Sequence, residues 1–164
     1  MRIIGIDPGT YTMGYGILQS EGGEITCLAC GAITVPRGLP LPERLRRLHG
    51  GLLALLECYA PQTAAVEEPF VAKNPRSALA VGQGMAIALL AAAQRGIDIA
   101  RYPPAKVKGA VAGHGQSSKA RVQQLVRLQL GLAADPEPPD AADALAVALC
   151  HLQERRLQAL RDSG

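Results

Sequence analysis

The feature that most constrains the fold is a short apolar run near the N-terminus that stops abruptly at a carboxylate. Residues 3–6 are almost continuously apolar, as expected for a strand that is buried on both faces in the middle of a sheet. The run ends at Asp7, and Pro8, Gly9 and Thr10 follow it in a pattern typical of a turn. Because acidic side chains are seldom buried without a partner or a metal ion, Asp7 either begins an Asx turn or belongs to a functional site.

Two more strands and a helical crossover are predicted after this first strand. Residues 12–18 and 25–35 are strand-like, and the turn residues 21–24 between them indicate a hairpin. Apolar residues then recur at helical spacing over residues 41–59. Residues 63–67 predict a fourth strand, which returns parallel to the first because a helix lies between them.

The rest of the chain alternates between helices and one further strand. The predicted segments are a helix from Asn74 to about Ala93, a strand over residues 97–102, and helices over 105–112, from 117 to before Gly131, and over about 140–160. We therefore expect one α/β domain over residues 1–164. Its last ten or so residues are expected to form a frayed helix end or a tail. Its five-stranded mixed sheet would have three antiparallel strands, then two parallel strands, with helices on both faces.

Composition and charge narrow the classes of function. Apolar residues make up 48% of the chain and aromatic residues 3%, so the core is aliphatic, and a module that binds single strands mainly on stacked aromatic rings is disfavoured. The net charge is only +3, but residues 70–130 carry nine basic side chains against Asp98 alone. This middle segment is either a polyanion-binding surface or simply a solvated one.

No membrane segment or signal peptide is predicted. The uncharged residues 78–93 are too few for the roughly 20 apolar residues of a membrane span, and we expect them to form a buried helix. A cytoplasmic location with reduced cysteines is therefore expected. Cys27 and Cys30 have the spacing of half a zinc site, but no second pair follows them in the sequence, so zinc is disfavoured.

Acidic residues stand at two further points where they could join Asp7. Glu67 and Glu68 end the fourth strand, and because side chains alternate along a strand only one of them can face the same side as Asp7. Asp140 and Asp143 share one face at the start of the last helix, where acids are also favoured by the helix dipole. Four such carboxylates would select Mg²⁺ or Mn²⁺ and could hold two ions for phosphodiester hydrolysis.

These motifs resemble the RuvC family of Holliday junction resolvases, which have an RNase H-like fold. The similarity runs from Met1 to about His151 and rests on Asp7-Pro8-Gly9-Thr10, Val66-Glu67 followed by Phe70, and residues 140–146. It implies an endonuclease that acts as a symmetric homodimer on four-way DNA junctions, in recombination and repair, leaving 5′-phosphate ends. The resemblance also implies a branch-migration motor of RuvA and RuvB proteins as a partner. It implies neither a nucleotide cofactor nor an association with a membrane.

The resemblance also assigns roles to individual residues. It implies Asp7, Glu67, Asp140 and Asp143 as catalytic ligands of Mg²⁺, two ions per site with Mn²⁺ able to substitute, and it selects Glu67 over Glu68. Glu68 departs from common family members. Lys108 and the catalytic Lys119 match basic positions near the scissile phosphate, and Phe70 matches an aromatic that wedges into unpaired bases. The other residues expected to bind DNA are Lys73, Arg76, Lys106 and Arg121.

Three other classes of protein share parts of this sequence pattern. An actin-like kinase or ATPase shares the first acidic motif, but 164 residues cannot hold its two lobes. A related nuclease acting on RNA, or a junction-binding protein without catalysis, would share the fold. Smaller features are also open: Gly14 and Gly16 indicate either close approach of DNA or loose strand packing, and His114 is expected to be a loop residue.

Overall fold

A five-stranded mixed sheet forms the centre of the protein. The computed structural model describes residues 1–68 and 74–164, so the predictions for Phe70 and Lys73 lie outside the described residues. The strands are β1 (Arg2–Asp7), β2 (Thr12–Glu21), β3 (Glu24–Thr34), β4 (Thr63–Glu67) and β5 (Asp98–Tyr102). Their order is β3-β2-β1-β4-β5, with antiparallel pairing among β1 to β3 and parallel pairing of β4 with β1 and β5. The predicted sheet is confirmed.

Helices cover both faces of this sheet, also as predicted. They are α1 (Leu41–Tyr59), α2 (Pro75–Gln94), α3 (Pro104–Ala112), α4 (Lys119–Gln129) and α5 (Pro139–Asp162). Side chains of α1 and α2 form one apolar core with residues of β1, β2 and β4, and side chains of α3, α4 and α5 form a second core on the opposite face. The aliphatic composition of both cores agrees with the scarcity of aromatic residues.

Helix α5 lies unusually close to the sheet because glycines face it. A Cβ atom on Gly5 would lie 2.1 Å from the carbonyl oxygen of Ala144, and one on Gly14 would lie 2.1 Å from the carbonyl oxygen of Asp140. Gly16 is crowded in the same way by Leu145. Both interpretations of Gly14 and Gly16 from the sequence were therefore wrong, since these residues pack tightly beneath a helix backbone. The glycines fix the height of the first turn of α5 above β1 and β2.

Helix α2 is amphipathic in its packing. Gly84, Ala88, Ala91 and Ala92 are buried, whereas Leu79 and Leu90 are exposed, so only one face is covered and the prediction of a buried helix holds for that face alone. Within the described residues α2 is the one helix long and apolar enough to cross a membrane. This is weak evidence for a membrane segment, because helices that pack in soluble cores meet the same criterion.

A β-bulge in β3 explains the placement of its two cysteines. Ile17 pairs with Ala29 and Leu18 with Cys27, so Leu28 is the extra residue in the ladder. The bulge reverses the alternation of side chains, and Cys27 and Cys30 therefore both pack against the core beneath α5. The two thiols thus lie side by side on a packed face of the sheet.

Candidate active site

Two of the predicted acidic residues end neighbouring strands. Asp7 is the last residue of β1 and Glu67 is the last residue of β4, and these parallel strands pair in a register that aligns Ile6 with Val66. Their carboxyl ends therefore meet at one edge of the sheet, and Asp7 and Glu67 occupy adjacent positions there. This arrangement follows from the crossover through α1.

The other two acidic residues reach the same place from α5. Asp7 pairs with Gly14 across β1 and β2, and Gly14 in turn lies against the backbone of Asp140. Asp143 follows one turn later on the same helix face, where it faces both strand ends. Four carboxylates that are far apart in the sequence therefore share one neighbourhood.

The electrostatics of the site show how strongly these carboxylates interact. Burial, followed by the negative charges of Asp143, Glu67 and Asp140, raises the pKa of Asp7 to about 8. Burial and then the charge of Asp143 raise the pKa of Glu67 to about 7. Crowded, desolvated carboxylates with such pKa values are the pattern expected where cations or protons must balance the charge.

Two lysines supply positive charge beside the carboxylates. Lys119 Nζ lies 2.6 Å from Asp143 Oδ2. Partial burial lowers the pKa of Lys119, but its hydrogen bond to Asp143 and the charges of the acidic cluster outweigh burial and raise that pKa above its usual value. Lys108 is close enough to lower the pKa of Glu67. Both lysines line a cleft of about 230 Å³ together with Glu67 and Asp143.

The donor set at this edge suits a hard divalent cation. Its ligands are carboxylate oxygens alone, which favour Mg²⁺ or Mn²⁺ over softer metals. Within the residues that the structure describes, no three His, Cys, Asp or Glu side chains converge tightly enough to form a complete metal cluster. Asp143 is instead paired with Lys119 in this arrangement.

The structure separates Glu67 from its neighbour in sequence. Glu68 Oε1 lies 3.7 Å from Arg101 Nε on β5, and the backbone N–H of Glu68 donates to the carbonyl oxygen of Tyr102. Glu68 is thus partly neutralised by an arginine and turned away from the acidic cluster. The alternation of side chains left the choice between Glu67 and Glu68 open, and the structure places Glu67 near Asp143 and Glu68 near Arg101.

The basic residues expected to bind DNA do not all lie together. Lys106 Nζ is 2.8 Å from Glu154 Oε2, and Glu154 lies eleven residues beyond Asp143, a rise of about 16 Å along α5. Arg121 lies in the first turn of α4 and bonds to Gln124. Arg76 lies in the first turn of α2, where its backbone N–H donates to Asn74.

Neither His114 nor His151 belongs to the acidic cluster. His114 Nδ1 lies 3.3 Å from the hydroxyl of Ser117 in the loop after α3, as expected for a loop residue. His151 is buried in the middle of α5, with its ring nitrogens 2.8 Å from Thr63 Oγ1 and 2.8 Å from the hydroxyl of Tyr102. Burial, followed by the charge of Arg155, lowers the pKa of His151 to about 4.

Sequence reasoning missed one arginine that contacts the turn after Asp7. Arg44, in the first turn of α1, has its guanidinium carbon 3.8 Å from the ring centroid of Tyr11, and its Nη1 donates to the side chain and carbonyl oxygens of Thr10. These partners belong to the turn that follows Asp7. Helical periodicity gave no signal for Arg44, because a basic residue in an amphipathic helix is ordinary.

The mixed sheet with helices on both faces places this chain in the class of RNase H-like domains. The sequence profile of the family described as crossover junction endodeoxyribonuclease RuvC matches residues 3–151. A crossover junction endodeoxyribonuclease RuvC from Chloroflexus aggregans is 54% identical over 151 residues, 92% of each chain. One from Dehalococcoides mccartyi is 47% identical over 164 residues, covering 100% of this chain and 98% of the relative.

A solved structure gives the same result in three dimensions. RuvC of T. thermophilus, in complex with a Holliday junction substrate, superposes with a TM-score of 0.89 at 36% identity, covering 96% of both chains. The chain belongs to the RuvC family.

Proposed function

We propose that this protein is an endonuclease that resolves four-way DNA junctions by metal-dependent hydrolysis of phosphodiester bonds. The observation that carries the proposal is the cluster of Asp7, Glu67, Asp140 and Asp143 beside Lys119, in a chain of the RuvC family. Its relatives are named as crossover junction endodeoxyribonucleases, and the T. thermophilus relative was solved with a Holliday junction. Paired cuts on the two sides of a junction would separate it into two duplexes.

The four carboxylates are proposed to hold Mg²⁺, with Mn²⁺ able to substitute and two ions at each site. When bound, these cations supply water activation and stabilisation of the leaving oxygen. The protein's contribution is to hold the oxygen ligands at fixed positions on two strand ends and a helix, with α5 seated by Gly14. The raised pKa values of Asp7 and Glu67 support this role, because such carboxylates gain most from a nearby cation.

The lysines of the cleft are proposed to bind the scissile phosphate. Lys108 and Lys119 line the same cleft as Glu67 and Asp143, so a phosphate held by them would lie against the acidic cluster. Their positive charge offsets the repulsion between phosphate and carboxylates. Lys119 is also proposed to take part in catalysis, since its ammonium group can balance the negative charge that develops on the phosphate oxygens.

The wider interface and its partners extend the proposal. Basic side chains of residues 70–130 are proposed to follow the DNA backbone, and Phe70 to wedge into the crossover. These DNA-contacting residues are Phe70, Lys73, Arg76, Lys106, Lys108, Lys119 and Arg121. We further propose a single domain, a homodimer that meets equivalent strands of the junction, cooperation with RuvA and RuvB proteins, and a cytoplasmic location.

A substrate comparison tests the proposed function. The protein is incubated with a synthetic mobile four-way junction, a linear duplex of the same sequence and an RNA–DNA hybrid, each with Mg²⁺, Mn²⁺ or a chelator. We expect symmetric nicks in the junction with either metal, little cleavage of the duplex, and no product with the chelator. Preferential cleavage of the hybrid would instead favour an RNA nuclease, and junction binding without cleavage under every condition would favour a binding protein.

A further inference from the structure

An exposed aromatic ring follows the turn that begins at Asp7. Tyr11 is 43% exposed. The other tyrosines in the described residues are buried or only partly exposed. Tyr11 follows Asp7 by four residues, so the Cα atoms of these two residues are separated by no more than about 14 Å. The carbonyl oxygen of Tyr11 accepts a hydrogen bond from the backbone N–H of Val35. A ring in this position can reach a nucleotide within about four steps of a phosphate at the site, since B-DNA advances 3.4 Å per nucleotide.

The ring is held in place by a cation. The guanidinium carbon of Arg44 lies 3.8 Å from the centroid of the Tyr11 ring, and Nη1 of Arg44 donates to Thr10 Oγ1 at 3.2 Å and to the Thr10 carbonyl oxygen at 3.3 Å. One arginine thus fixes both the turn after Asp7 and the ring that follows it. Because the ring is already held in one position in the free protein, little conformational entropy would be lost when a base stacks on it.

The arrangement carries a stability cost that packing alone does not explain. Arg44 Nε is buried and, within the described residues, has no hydrogen-bond partner, which destabilises the folded state. The adjacent Glu43 is engaged by Arg46 and Arg47, both at 2.8 Å, so it does not neutralise Arg44. An exposed ring backed by an arginine that has no acidic partner in the described part of the chain is well suited to a nucleotide, which offers both a flat base and an anionic backbone.

We propose that Tyr11, backed by Arg44, is a nucleotide-binding contact for the DNA strand that is cut. The inference rests on the proposed function, because it places the contact beside the proposed cleavage site. Tyr11 stacks on a base within four nucleotides of the scissile phosphate, and Arg44 is the positioning residue that holds the ring. Nothing in the aromatic content of the chain contradicts a single stacking contact of this kind.

Fluorescence of 2-aminopurine tests the contact directly. Junctions carry this base at each of the four positions on either side of the cut, and the protein is added with a chelator so that binding occurs without cleavage. We expect a change in fluorescence at one position with the parent protein and with Tyr11→Phe. Tyr11→Leu should lose that change and bind the junction about tenfold more weakly.

Matched arginine variants separate positioning from general charge. Arg44→Gln should reduce the fluorescence change and weaken binding, whereas Arg46→Gln removes the same charge from an exposed position on α1 and should leave the fluorescence change intact. Thermal unfolding checks that each variant is folded, and Tyr11→Phe keeps the test valid if Tyr11→Leu is unstable. A parent-like signal and affinity in Tyr11→Leu would overturn the inference, and failure of the parent to bind any junction would overturn the proposed function with it.

Discussion

Lys119 Nζ lies 2.6 Å from Asp143 Oδ2, so the first residue of α4 is tied by an ion pair to the second turn of α5. The contact brings a positive charge to a group of carboxylates in which burial, together with repulsion from Asp143, Glu67 and Asp140, raises the pKa of Asp7 to about 8. Lys119 thus has two possible roles, balancing the carboxylates in the free protein and binding phosphate in the complex. The two roles predict different effects of removing it.

Replacing Lys119 by Gln is expected to slow single-turnover cleavage of a junction by roughly 10–1000-fold, because a charge that acts in the transition state is lost. Junction affinity should fall only a few-fold. Arg161→Gln removes the same charge from the last turn of α5, where Arg161 is exposed, and should leave the cleavage rate within about threefold of the parent. Equal rates for Lys119→Gln and the parent would remove Lys119 from the mechanism.

A glycine beneath α5 provides a test of how the site is held. In Gly14→Ala the new Cβ would lie 2.1 Å from the carbonyl oxygen of Asp140, so the start of α5 must move. We expect a loss of about 2–4 kcal/mol in the free energy of unfolding, measured by urea denaturation, and loss of cleavage. Gly50→Ala on α1, where nothing lies within 4 Å, should instead stabilise the protein by up to about 1 kcal/mol.

Divalent cations are expected to stabilise the folded protein. If Mg²⁺ binds the carboxylates, the free energy of unfolding should rise by about 3 kcal/mol at a hundredfold excess over the dissociation constant. Differential scanning calorimetry with Mg²⁺ or with a chelator measures this difference. Asp7→Asn should lose most of the increase, whereas Asp135→Asn, at an exposed pair with Arg127, should retain it. An identical increase in Asp7→Asn would mean that the ion binds elsewhere.

The buried His151 predicts a distinct loss of stability in acid. Its pKa is about 4 in the folded protein and 6.5 in its ordinary state, so the unfolded chain binds the additional proton between these values. The stabilisation from neutral His151 is complete above pH 6.5 and is lost as the pH falls toward 4, by up to about 3 kcal/mol.

Urea denaturation of the parent and of His151→Gln at pH 7, 5.5 and 4 measures this contribution. The variant lacks the titrating ring, so its stability should fall less steeply between pH 7 and 4. His49→Gln, which removes an imidazole that contacts Gln94 on the helix surface, is the matched control and should follow the parent. If His151→Gln and the parent have the same dependence on pH, the buried ring does not resist protonation.

Much of the fold was predictable because the strongest signals were local. The apolar run before Asp7, the helical spacing of α1 and the cap at Asn74 each identified an element whose bounds the structure reproduces to within a few residues. The strand order followed from connectivity, since a helix between two strands makes them parallel. The acidic cluster was likewise predicted, because adjacent parallel strands end at one edge of the sheet.

Other features depend on contacts between distant residues, and local patterns do not encode them. The spacing of Gly14 and Gly16 indicated a close approach but could not identify α5 as the element that approaches. The bulge at Leu28, which turns Cys27 and Cys30 to one face, has no turn residue to mark it. The choice of Glu67 over Glu68 needed either the family resemblance or the partner that Glu68 finds in Arg101.

The central claim is that the carboxylate cluster performs metal-dependent cleavage of junctions, and one measurement tests it most directly. Asp7→Asn keeps the shape of the side chain but removes its charge, so it should bind a four-way junction as tightly as the parent. In the same samples with Mg²⁺, its single-turnover cleavage rate should fall by at least about a hundredfold. Cleavage by Asp7→Asn at the rate of the parent would contradict the account.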